Sequence, residues 1–132
     1  MIVADTNLIV YLHINGDKSS AALQVLEKDS TWIVPPLWQS EFRNVLAAYM
    51  RKGMTLEQAR QIMTSALNAM KDKQIEPSSD KVLELISKSQ CTAYDSEFIA
   101  LAQQIGIPLV TADRQILKSF PETAISLEAF IK

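Results

Sequence analysis

The sequence predicts an α/β domain in three layers, α/β/α, with a mostly parallel sheet of about five short strands held between helices. Two observations carry that reading. Short strand-length segments, most of them apolar, at 2–4, 32–34, 74–76, 107–110 and 123–126, alternate with longer segments of helical periodicity. Strands covered on both faces by crossover helices read as unbroken apolar runs rather than as alternating ones. The second observation is that 132 residues pass without a linker, internal repeat or low-complexity tract. That length is near the commonest size of one domain and buries enough surface to need no staples, so residues 1–132 are expected to form a single domain.

Ile2-Val3-Ala4 opens the chain as a strand. Asp5-Thr6-Asn7 follows, all three suited to an N-cap, and a first helix is expected over 8–13. Asn15-Gly16-Asp17 is a turn before a helix over 18–28. Trp32-Ile33-Val34 is a second strand, stopped by Pro35-Pro36. The helix over 37–52 is strongly periodic, because Trp38, Phe42, Val45 and Tyr49 recur at i, i+4, i+7 and i+11 on one face. Gly53 suits the residue just past its end. Thr55 and Gln58 have capping-box spacing at the start of a helix reaching about Lys71. Gln74-Ile75-Glu76 is a short strand before Pro77, and Ser79 and Asp80 open a helix carrying Val82, Leu83, Leu85 and Ile86. A helix over 94–105 stops at Gly106, and Ile107-Pro108-Leu109-Val110 is a buried strand ending at Thr111. Asp113 starts a short helix to about Lys118, Pro121 breaks the chain, residues 123–126 form a last strand, and 127–131 a closing helical turn.

Composition removes several chemistries. Hydrophobic residues make up 48% and mean hydropathy is +0.04, values of a globular chain. Cys91 is the single cysteine, so no intrachain disulfide forms, in keeping with a reducing cytosol. No apolar run approaches the roughly 20 residues that span a bilayer. The opening MIVADTNLIVYLHING has no basic stretch and carries Asp5 where a signal peptide needs apolar residues, so a cytoplasmic location without membrane attachment is expected. One histidine, His13, and one cysteine exclude a Cys/His zinc site and a paired-histidine acid and base. Gly16, Gly53 and Gly106 are the only glycines, which leaves neither a Gly-rich phosphate loop nor a dinucleotide fingerprint, and no nucleotide cofactor is expected. The net charge of −2 provides no basic footprint for nucleic acid, but acids gathered around a metal ion would be neutralised by it.

Carboxylates are the chemically active groups that remain. Asp5 directly follows the first strand and Asp113 lies two residues past Thr111; if those strands are neighbours, both acids reach the crevice beyond the strand ends. Glu41 lies between Trp38 and Val45 at helical spacing, beside the apolar face. Asp95 shares a face with Phe98, Ile99 and Ala102. N-capping alone explains any one of Asp5, Asp95 and Asp113, and Glu41 alone could be a flank residue with its head in water. Two caps at strand ends and two acids beside apolar faces together point to a shared site. Clustered carboxylates repel one another unless a cation joins them, and an oxygen-only ligand set suits Mg²⁺ or Mn²⁺. Such an ion polarises a phosphate and acidifies water for in-line attack. Asn7 and Thr111 are candidates to orient water or phosphate from outside the ligand set.

The strand ending in Asp5-Thr6-Asn7, the helical Ser40-Glu41, the run from Tyr94 through Asp95, Ser96, Glu97 and Phe98 to Ala102, and Leu109-Val110-Thr111-Ala112-Asp113 together resemble PIN-domain proteins. The short single-domain form is similar to VapC-type toxin ribonucleases, and the likeness covers essentially the whole chain. The resemblance implies a parallel sheet between helices, metal ligation by Asp5, Glu41, Asp95 and Asp113, and Asn7 and Thr111 as supporting polar residues. It implies Mg²⁺- or Mn²⁺-dependent endonucleolytic cleavage of RNA, a homodimer, and inhibition by a small antitoxin protein inserted in the active-site groove. Glu97 has no counterpart in that pattern and stands as a fifth acid or a solvated helix position.

Among the basic residues, Arg114 is the candidate phosphate contact because it adjoins Asp113; Arg43, Arg51, Lys52, Lys71, Lys73 and Lys118 read as solvated helix surface. Trp32, Trp38, His13 and Cys91 read as structural. Met50, Met54, Met63 and Met70 fall on two successive helices and suit either core packing or a partner surface. Two rival readings follow from the same residues. One is a PIN-like fold that has lost catalysis and serves as a binding or scaffold module, which the presence of all four acids disfavours. The other is a metal-independent carboxylate-pair hydrolase such as a glycosidase, which the short chain and the 7% aromatic content disfavour.

Overall fold

A computed structural model describes all 132 residues. Four strands, β1 (Ile2–Ala4), β2 (Trp32–Ile33), β3 (Leu109–Val110) and β4 (Ala124–Ile125), form one sheet in the order β2-β1-β3-β4. Every pairing is parallel, with Val3 opposite both Ile33 and Leu109. Eight helices surround it: α1 (Thr6–His13), α2 (Ser19–Lys28), α3 (Trp38–Arg51), α4 (Leu56–Ala69), α5 (Ser79–Lys88), α6 (Ala93–Ile105), α7 (Arg114–Ser119) and α8 (Leu127–Phe130). All strand residues except Ile125 are buried, so helices cover both faces of the sheet, as a parallel sheet requires. The α/β class and the parallel sheet expected from the sequence are what the chain forms.

The fifth expected strand shrinks to a single bridge. Val34 pairs with Gln74 alone, through Val34 N to Lys73 O (3.1 Å) and Ile75 N to Val34 O (2.9 Å). Ile75 is exposed, so no burial extends the pairing, and Pro77 just beyond has no N–H to continue a ladder.

Caps set most helix starts. Asp5 caps α1, which therefore begins at Thr6 rather than at Leu8. The expected capping box is formed, with Thr55 Oγ1 accepting from Gln58 N and Thr55 N donating to Gln58 Oε1. Gly106 closes α6 at φ +78°, a left-handed conformation that only glycine adopts freely. On α3 the buried row is Trp38, Phe42 and Leu46, the i, i+4, i+8 ridge that helices commonly present to neighbours. Val45 is only half-buried because it lines an open cleft, and Tyr49, in the last turn of α3, is exposed.

Thirty-one buried residues make one continuous core. Trp32 and Trp38 are fully buried in it, Cys91 is buried, and His13 bonds the Ile9 carbonyl through Nδ1 while its ring meets Phe42 edge-on, so all four are structural as expected. Met70 belongs to the core, whereas Met50 is exposed. No helix is long and apolar enough to cross a membrane. Phe98, 1% exposed on α6, is a keystone of this packing. Phe98→Ala is expected to cost about 3–5 kcal/mol in urea denaturation. Tyr49→Ala is expected to change stability by no more than about 0.5 kcal/mol.

Candidate active site

Four elements bring the acids together at the C-terminal end of the sheet. Asp5 leaves β1 directly, and its own N–H donates to Val110 O of β3 (3.1 Å). Asp113 lies just past β3 and caps α7, its Oδ1 accepting from Gln115 N (2.9 Å) and Ile116 N (3.1 Å). Because β1 and β3 are adjacent, the two acids flank the point where the sheet changes direction of growth, from β2 on one side to β4 on the other. Glu41 comes from the first turn of α3 and Asp95 from the first turn of α6. Asp95 is not itself the cap: Thr92 is, accepting from Asp95 N (3.0 Å), which leaves the Asp95 carboxylate for another use.

All four acids line one cleft of about 430 Å³, together with Thr6, Asn7, Val10, Tyr11, Asn44 and Val45. No lysine or arginine lines it. Beneath the acids runs a hydrogen-bond chain. Thr111 Oγ1 donates to Asp5 Oδ2 (2.6 Å), Asn7 Nδ2 approaches Asp5 Oδ2 (3.3 Å) and Thr111 Oγ1 (3.4 Å), and Ala112 N donates to Asn7 Oδ1 (3.3 Å). Asp113 N donates to Thr111 Oγ1 (3.0 Å), so Thr111 couples Asp5 to Asp113. Asn7 and Thr111 thus hydrogen-bond to Asp5, and Thr111 also to the Asp113 N–H. Thr6, whose sequence position suggests only a helix cap, donates its hydroxyl to Glu41 Oε1 (2.6 Å) and its N–H to Asp5 Oδ1 (2.8 Å).

Burial pushes the Asp5 carboxyl up from 3.8 to about 6, against the lowering bonds from Thr111 and Thr6, with Glu41 and Asp95 adding repulsion. Glu41 is raised by burial and by Asp95, opposed by the Thr6 bond. Asp95 is raised by burial and then by Asp113. The repulsions link all four acids in one electrostatic unit with no neutralising side chain.

As the side chains stand, no three acids come close enough to hold one metal ion together. The donors nevertheless suit a hard divalent cation: they are all oxygen, mutually repelling and partly desolvated. Glu41 Oε2 and Asp113 Oδ2 carry no hydrogen bond and are free to turn inward.

The remaining candidates fall outside the cleft. Arg114 is exposed at the start of α7, beside Asp113 but not in the lining. Glu97 faces a neighbouring groove between α5 and α6 with Glu76 and Pro77. Tyr11 and Asn44 do line the cleft and were not singled out from sequence. Their signal was there in helical spacing, Tyr11 four residues past Asn7 and Asn44 three past Glu41.

A parallel sheet between helices is the fold that the resemblance implies, and the chain belongs to the PIN domain family, whose model matches residues 2–122. Among curated relatives, Ribonuclease VapC3 of Pyrobaculum aerophilum is 27% identical over 124 residues, which span 91% of this chain and 95% of that protein. The crystal structure of PAE2754 from Pyrobaculum aerophilum aligns at a TM-score of 0.77 and 23% identity, covering 99% of this chain and 96% of that one. At that identity the likeness is one of fold.

The raised Asp5 carboxyl has a stability consequence. The folded state holds this proton more tightly than the unfolded chain, so the contribution favours folding below about pH 4 and is lost as pH rises through about 6. In EDTA, urea denaturation is expected to show Asp5→Asn gaining roughly 3 kcal/mol on the wild type between pH 4 and pH 7.5.

Proposed function

We propose that this protein is a Mg²⁺- or Mn²⁺-dependent endoribonuclease that hydrolyses RNA phosphodiester bonds, and that it is the toxin of a VapBC-like pair, acting as a homodimer in the cytoplasm and restrained by a small antitoxin. The single observation that carries the nuclease reading is the cleft itself: Asp5, Glu41, Asp95 and Asp113 converge on it without one basic side chain. Membership of the PIN domain family and the likeness to a protein named as a VapC ribonuclease support it. The toxin and antitoxin roles rest on that likeness alone.

In this reading Asp5, Asp95 and Asp113 hold the metal, and Glu41 holds the metal or its water. When bound, the divalent cation polarises the scissile phosphate and acidifies the attacking water. Asp5 is fixed for its part by Thr111, Asn7 and the Thr6 N–H, so its oxygens cannot swing out to solvent. Thr6 holds Glu41 at one oxygen and leaves the other free to accept a proton or a ligand. Arg114, exposed beside Asp113 in sequence, is the candidate phosphate contact for the RNA backbone. The separation of the acids as they stand favours a second reading, a PIN-like binding module without catalysis. Mn²⁺ titration followed by calorimetry separates the two, since the module binds no ion at this cleft.

Cleavage of structured RNA by the wild type is expected to need Mg²⁺ or Mn²⁺ and to stop in EDTA. Asp5→Asn, Glu41→Gln, Asp95→Asn and Asp113→Asn are each expected to lower the rate by more than about 100-fold, and Thr111→Val by about 10- to 100-fold. Equal cleavage by all of these proteins, with and without EDTA, would reject the mechanism.

A further inference from the structure

The acids occupy only one end of the cleft. On α1 its wall continues from Asn7 to Val10 and Tyr11, and on α3 from Glu41 to Asn44 and Val45. Both sets follow i, i+3, i+4 spacing, so each is one stripe of its helix facing the same space. Tyr11 lies six residues past Asp5, about 9 Å along the helix axis. This arm therefore begins at the acids and leads away from them.

The arm differs in chemistry from the acid end. Two valines, one from each wall, and a half-buried tyrosine give it apolar sides, and the exposed Asn44 amide supplies a donor and an acceptor side by side. It has no lysine or arginine, so it offers nothing to a second phosphate. A ligand that suits it is neutral, flat, and edged with both donors and acceptors. A nucleobase has these properties, and an aromatic side chain is the usual platform for an unpaired base.

We propose that this arm is a nucleobase subsite: a base next to the cleaved phosphate stacks on Tyr11 between Val10 and Val45, and the Asn44 amide pairs with the base edge. The subsite deepens the ribonuclease reading above and rests on it for its biological role. Tyr11 and Asn44 are then residues that choose which RNA segment is cut. An amide can turn to match any base, whereas a carboxylate in its place accepts only, which favours guanine with its adjacent N1–H and N2–H donors.

The binding arm of the test needs neither metal nor phosphate. Isotope-labelled protein in EDTA is titrated with adenosine, guanosine, cytidine and uridine while the Tyr11 ring and Asn44 side-chain amide resonances are followed by NMR. The expected result is shifts centred on Tyr11, Asn44, Val10 and Val45, with affinity falling about tenfold in Tyr11→Leu and returning in Tyr11→Phe. The dispersed spectrum of each variant reports that it is folded. In the activity arm, with Mn²⁺ and RNA, Tyr11→Leu is expected to raise KM about tenfold with kcat within about twofold, and Asn44→Asp to move the cut sites toward guanine. Nucleosides that leave these resonances unmoved, or that bind Tyr11→Leu as well as wild type, overturn the subsite even if RNA is cleaved. Nucleoside binding at these residues without any RNA cleavage upholds the subsite and removes the nuclease reading.

Discussion

Asp5 stands at the seam between the two central strands, and the organisation of the site follows from how it is held there. Its backbone N–H closes the ladder to Val110, its Oδ1 caps α1, and its Oδ2 takes the Thr111 hydroxyl from the end of β3. One residue thus joins β1, α1 and β3. A carboxylate this deeply buried is costly unless its oxygens are bonded, and these bonds offset only part of the cost, which is why its proton is held to about pH 6. The strain is electrostatic and local. It sits where a cation would relieve it most.

The same logic explains why the surrounding residues are what they are. Thr111 serves three groups at once, Asp5, Asn7 and the Asp113 N–H, so it ties the two strand-end acids to one hydroxyl. Thr6 links Asp5 to Glu41 across the gap between α1 and α3. Glu41 and Asp95 both lie in first turns, where the positive end of the helix dipole tempers the cost of bringing negative charge inward. The net charge of the chain, only −2, conceals this concentration, because acids and bases elsewhere cancel.

The cleft has two chemistries in sequence. At the sheet end it is anionic and fastened by hydrogen bonds; along α1 and α3 it becomes apolar with an amide at its margin. In the proposed function a cation would neutralise the acid end so that a phosphate link can approach it, while the apolar arm would take a flat, neutral base.

Much of this was readable along the chain. Alternating apolar runs and periodic helices specify a parallel α/β fold because burial on both faces leaves a composition signature that no local competitor matches. The acids stood out by position, at strand ends and beside apolar faces, and exclusion of histidine, cysteine and glycine chemistry left them as the reactive groups. Four features needed the tertiary structure. Gln74 makes one bridge and no strand, because whether a polar segment pairs depends on the neighbour that buries it, and Ile75 has none. Tyr49 is exposed although it shares the stripe of Trp38 and Phe42, because periodicity says which side of α3 is apolar but not where along the helix the core ends. The Thr6–Glu41 bond and the meeting of Tyr11 with Asn44 join residues more than 30 positions apart, and only the packing of α1 against α3 decides which of their side chains share a space.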